Sequence, residues 1–139
     1  MDFLIYRSHA LIGPESEACR EILAASQRNN AKLGVTGYLH FEDGMFMQYL
    51  EGPAAALQTL YQRIVLDPRH CDVEQLGYGP TNQCLFRRWS MGFSDDHVAS
   101  FRDFLNEAWG KTDPKEADAR EAALFLTGAC QRMDLGITN

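Results

Sequence analysis

The side chains of Phe3, Leu4, Ile5 and Tyr6 alternate across a strand, which puts Phe3 and Ile5 on one face and Leu4 and Tyr6 on the other. Gly13-Pro14 breaks that element. A helix is predicted over residues 15–30, with Ala18, Ile22, Leu23 and Ala25 as its apolar stripe, Ser16 as its N-cap and Asn29-Asn30 as its close. Residues 33–41 and 45–51 read as two strands joined at Glu42-Asp43-Gly44, where Asp-Gly supplies the backbone freedom of a tight hairpin. Gly52-Pro53 ends the second of these and opens a helix to Leu66, in which Leu57, Leu60, Tyr61, Ile64 and Val65 recur on one side. Asp67-Pro68 stops it.

Two further strands are predicted over 73–79 and 89–93, and two amphipathic helical segments over 97–109 and 115–133, separated by Thr112-Asp113-Pro114. The order βαββαββ predicts an α+β, ferredoxin-like sandwich: a five-stranded mixed sheet with two helices on one face. The other face still needs cover, and Phe101, Phe104, Leu105, Trp109, Leu124, Phe125 and Leu126 of the C-terminal segments supply it. Residues 1–95 are accordingly expected to form the sheet domain and 96–139 a helical extension packed on it. No repeat or long linker interrupts the chain.

A length of 139 residues suits one domain, and 45% hydrophobic with 23% charged residues describes an ordinary globular composition. A net charge of -6, with cations scattered apart from Arg87-Arg88, opposes direct nucleic-acid binding. No apolar run approaches a membrane span, and Asp2 stands where a basic leader would begin, so a cytoplasmic location is expected. Cys19, Cys71, Cys84 and Cys130 lie too far apart for a zinc ribbon or a dithiol motif and read as inert thiols.

Hydrolytic chemistry is poorly served, because there is no Gly-x-Ser-x-Gly elbow, Walker loop or His-Glu-x-x-His, and His9, His40, His70 and His97 are far apart in sequence. Gln48 is less usual: it sits inside an apolar strand, where an amide without partners loses roughly 1–3 kcal/mol to desolvation. Its partners are either neighbouring backbone or, if its face meets the helices, Tyr6. Asn30 is compatible with a plain helix cap.

Taken together, Ile5-Tyr6-Arg7-Ser8, Asn30, Val35-Thr36-Gly37, Phe46 to Pro53 (Phe-Met-Gln-Tyr-Leu-Glu-Gly-Pro), Asp67-Pro68-Arg69-His70 and Trp89-Ser90-Met91 resemble the BLUF family of flavin-binding blue-light sensors in order and spacing. The resemblance runs from Met1 to Phe93. It implies a non-covalently bound flavin, FAD with FMN or riboflavin as alternatives, with Tyr6 as the phenol beside the ring. Gln48 would bridge Tyr6 to N5 and C4=O, and Asn30 would bind the polar edge with Asn29 beside it. Ile22 and Ile64 resemble the pair that sandwiches the ring, Phe46 is a further contact, and Arg69 and His70 fall near the ribityl-phosphate tail. Trp89 and Met91 share one face of the last predicted strand and compete for the space beside Gln48, or are both simply core. Leu85 departs from the basic residue of many relatives, which touches the local loop contacts rather than the chromophore.

The resemblance further implies that light drives electron and proton transfer from Tyr6, rearranges Gln48 and leaves the flavin slightly red-shifted until dark recovery. Nothing after the sheet is large enough to be an output domain, so the signal is expected to leave through the last strand and the C-terminal helices to a downstream protein partner, with a homo-oligomer and without enzymatic activity. Two rival readings stand beside this one. An acylphosphatase-like hydrolase lacks its phosphate-cradling glycine loop, and a pure protein-interaction module leaves Tyr6 and Gln48 unexplained.

Overall fold

The computed structural model describes residues 1–87 and 90–134. Its first strand, β1 (Asp2–Ala10), is longer than the apolar run that announces it, because both of its neighbours continue to pair beyond Tyr6. Helix α1 (Glu17–Leu33) starts at Ser16, whose Oγ accepts the Cys19 N–H at 3.1 Å. It does not close at Asn29-Asn30 but at Gly34, which takes φ +71° and returns its N–H to the Asn30 carbonyl. Lys32 and Leu33 carry the helix past the expected end, so Asn30 is a buried side chain on the last turn rather than a cap.

The hairpin β2 (Thr36–Glu42) and β3 (Met45–Gly52) turns at Asp43 and Gly44, both with positive φ, as the Asp-Gly pair predicts. The two strands approach closely at Gly37, where a Cβ would stand 2.3 Å from the Tyr49 carbonyl oxygen. Helix α2 (Ala54–Leu66) and β4 (His70–Pro80) follow, then β5 (Gly92–Asp95), α3 (Phe101–Trp109), a single 3-10 turn (Pro114–Glu116) and α4 (Ala119–Asp134).

The sheet order is β4-β1-β3-β2-β5. All pairs are antiparallel except β2 with β5. This is the ferredoxin-like arrangement with a fifth strand added beside β2.

The predicted strand over 89–93 is displaced: pairing begins at Gly92, opposite Tyr38, and runs to Asp95. Trp89 lies outside the described residues. The ladder starts late because the backbone just before it is fastened elsewhere. The Ser90 carbonyl accepts from Asn30 Nδ2 at 2.9 Å and the Met91 carbonyl from Gln27 Nε2 at 3.3 Å, both from α1. Upstream, the buried Glu51 carboxylate takes the N–H groups of Leu85 and Phe86 at 2.9 and 2.7 Å.

Alternation along the strands splits the interior into two cores. Leu39, Phe46, Leu50 and Met91 pack with Cys19 and Leu57 beneath α1 and α2. Ile5, Tyr38, Met47 and Tyr49 pack with Phe101, Leu105, Phe125 and Leu126 of α3 and α4 on the opposite face. No described helix is long and apolar enough to cross a membrane.

Candidate flavin site

Tyr6 and Gln48 stand directly opposite each other on β1 and β3, with their side chains on the face beneath α1 and α2. The Tyr6 hydroxyl donates to Gln48 Oε1 at 2.5 Å, and Gln48 Nε2 donates to Met91 Sδ at 3.2 Å. The buried amide thus meets its desolvation cost with one partner at each end. Burial drives the Tyr6 phenol far above its ordinary range, and the Asp67 charge and neighbouring Tyr61 push the same way. Tyr6 is consequently a neutral donor across the physiological range.

These side chains form the floor of a cleft between α1 and α2 with an empty volume of about 860 Å³, counting the part open to solvent. Ile22 comes from α1 and Ile64 from α2, both half-buried, while Phe46 and Leu39 rise from the sheet. Asn29 is exposed at the rim, and Asn30 is buried beside it with one amide N–H already committed to the Ser90 carbonyl. Apolar walls over a floor of fixed donors and acceptors suit a flat aromatic heterocycle with one polar edge.

At the other end the polar groups are more constrained than their positions in sequence indicate. Arg69 forks onto Asp67 through Nε and Nη2, at 2.9 and 2.6 Å. That fork lowers the Asp67 carboxyl below its usual range and raises Arg69. His70 is not in a solvent-facing turn but opens β4, half-buried, with Nε2 donating to the Ile64 carbonyl and Nδ1 meeting Ser8 Oγ at 2.7 Å. Since a carbonyl only accepts, Nε2 carries the hydrogen. Its ring lies edge-on to Tyr6, with centroids 6.2 Å apart.

All the described candidates except Met91 line this one cleft, and Met91 touches it through Gln48. Trp89 lies outside the described residues. Sequence reasoning missed Ser26, Leu39, Leu60, Arg63 and Asp67, which line it too. Leu39 and Leu60 were findable from strand and helix periodicity, since each shares a face with a residue already singled out. Arg63 and Asp67 look in sequence like a solvated charge and a helix stop.

The family model for sensors of blue light using FAD matches residues 1–92. The chain belongs to the BLUF family. Among BLUF-containing relatives, it is 32% identical over 114 residues to the blue light- and temperature-regulated antirepressor BluF of Escherichia coli (strain K12), covering 81% of this chain and 28% of that protein. It is 35% identical over 82 residues to the photoactivated adenylate cyclase subunit beta of Euglena longa, covering 58% of this chain and 10% of that protein. The chain therefore spans a minor part of the curated relatives it matches.

Among solved structures, the photo-activated state of BlsA aligns with a TM-score of 0.78 at 25% identity, covering 93% of this chain and 94% of that one. The dark state of the BLUF protein BlrB aligns with a TM-score of 0.73 at 26% identity, covering 93% of each chain. The BLUF match includes the β1, α1, hairpin, α2 and β4 elements that build the cleft.

Proposed function

We propose that this chain is a blue-light photoreceptor that holds oxidised FAD non-covalently between Ile22 and Ile64, with Tyr6 and Gln48 as its photoactive pair. The observation that carries the reading is the Tyr6–Gln48–Met91 hydrogen-bond chain at the floor of the cleft between Ile22 and Ile64. Flavin supplies absorption of blue light and, once excited, a demand for an electron. Tyr6 is the neutral, buried phenol placed to answer it.

The protein's own response lies in Gln48. A primary amide has a donor end and an acceptor end, and reversing it by rotation or tautomerisation exchanges them. Tyr6 Oη then accepts where it donated, and Met91 sulfur, which accepted an N–H, faces an oxygen lone pair. Met91 loses its attraction to the floor of the cleft. Asn30 and Asn29 would bind the ring's polar edge, Phe46 would pack near it, and Arg63, Arg69 and His70 would lie toward a phosphate-bearing tail.

In this reading residues 1–95 are the flavin-binding unit and 96–139 the extension that hands the signal to a protein partner. The chain is then a cytoplasmic sensor with no catalysis of its own and a homo-oligomeric assembly. The test is colour. Purified protein should be yellow, release FAD on denaturation, and shift its absorbance reversibly to the red under blue light. Protein that stays colourless after incubation with FAD, FMN and riboflavin overturns the proposal.

A further inference from the structure

The sheet face away from the cleft holds a buried polar cluster for which the flavin site has no use. His40 is fully buried on β2 and Glu42, two residues on, is 4% exposed. Both point toward α3 and α4, opposite to Leu39 and Phe41. His40 Nδ1 meets Ser94 Oγ of β5 at 2.8 Å, and Nε2 meets Glu42 Oε1 at 2.9 Å. Glu42 in turn accepts the N–H groups of Phe101 and Arg102 at 2.7 and 3.0 Å and the Ser100 hydroxyl at 3.1 Å.

One carboxylate from the sheet therefore caps the first turn of α3, satisfying N–H groups that a helix start leaves without partners. Burial alone would raise the Glu42 carboxyl, yet the bonds from His40, Arg102 and Phe101 outweigh it and hold it lowered. His40 also sits edge-on to Phe125 of α4, with centroids 4.7 Å apart.

A second arrangement is within reach. Tyr38, also on β2 and two residues before His40, is fully buried, and its hydroxyl has no hydrogen-bond partner among the described residues. Burial pushes that phenol up to about 12, while the nearby Ser94 hydroxyl draws it the other way. Ser94 thus lies between a histidine it bonds and a tyrosine hydroxyl that needs a partner. It is three residues beyond Met91, on a four-residue strand that among the described residues pairs with β2 alone.

We propose that Ser94 is a two-position contact, bonded to His40 in the dark and handed to Tyr38 when Met91 shifts β5, and that His40 and Glu42 transmit the exchange to the first turn of α3. The proposal rests on the sensor reading above. Losing Ser94 leaves a buried imidazole nitrogen without its partner, so the ring turns, Glu42 loses the His40 bond, and the α3 cap loosens.

The experiment uses the full flavin-loaded chain and records two signals: the blue-light absorbance shift, and amide hydrogen exchange over 101–105 in dark and light. The unsubstituted chain should exchange faster there in light. Tyr38→Phe removes a hydroxyl that has no hydrogen-bond partner among the described residues, so fold and absorbance shift should persist while the light–dark exchange difference is lost. Ser94→Ala should lose the difference too, and Ser94→Thr, which keeps a hydroxyl, should restore it. A full light–dark difference in Tyr38→Phe, or none in an unsubstituted chain that shifts normally, overturns the coupler. Absence of the absorbance shift in the unsubstituted chain overturns the sensor reading with it, and absorbance alone identifies that case.

Discussion

The phenolic hydrogen of Tyr6 is aimed at Oε1 of Gln48, 2.5 Å away, from directly opposite positions on β1 and β3. That bond decides which end of the amide faces Met91. Without a hydroxyl donor at Tyr6, the Met91 sulfur that accepts from Nε2 would be left to distinguish the amide's two orientations.

Gln48→Leu keeps the shape of the cleft floor and removes both hydrogen bonds. Flavin should remain bound, with no normal red shift after blue light. Difference absorption spectroscopy checks this, and a reversible shift of ordinary size would remove Gln48 from the mechanism.

Met91→Leu conserves volume, so its stability cost should stay below about 1.5 kcal/mol. It deletes the sulfur that accepts from Gln48 Nε2 only in the orientation described. The dark arrangement loses a contact that the reversed amide does not use, so thermal recovery should slow. The decay of the red-shifted absorbance measures it; faster recovery would place the sulfur's preference with the other orientation.

Asn30→Ala should destabilise the flavin-free chain by about 1 kcal/mol, the value of one part-buried hydrogen bond to the Ser90 carbonyl. Asn30→Asp should cost more, because a carboxylate has no donor and sets its charge against that carbonyl oxygen. Urea unfolding of the three proteins gives the order, and an Asp variant as stable as the Ala variant would contradict the assigned contact.

Glu42 carries a sign for acid stability. Its carboxyl is lowered in the folded protein, so its contribution is present above the unfolded value near 4.5 and is lost as pH falls through the folded value. Glu42→Gln should therefore be less stable than the parent at neutral pH, and the gap should narrow on acidification below that value. Unfolding midpoints between neutral and acid pH test this; a constant gap would mean the charge is not what stabilises the cap.

The sequence made legible those features whose cause is local. The Asp43-Gly44 turn, the Ser16 cap and the shared face of Tyr6 and Gln48 follow from backbone sterics and a two-residue period, and each is found. Two errors came from giving local signals too much weight. Asn29-Asn30 looks like a helix end, but Gly34 offers the left-handed conformation at lower cost. The strand near Met91 starts late because amides of α1, 60 and 64 residues earlier in the chain, hold its carbonyls. Glu42 and Glu51 were the least visible: Glu42 reads as a turn residue and Glu51 as a polar strand end, while their partners are backbone N–H groups 34 to 60 residues away that no residue type advertises.

The alternation of β3 has a geometric corollary. Met47 and Tyr49 belong to the core beneath α3 and α4, while Gln48 between them belongs to the cleft. The sheet is thus a partition one backbone thick, with the cleft on one side and the core beneath α3 and α4 on the other. A protein reading the far wall would never have to compete with the ligand for surface, and the message has only the thickness of that wall to cross.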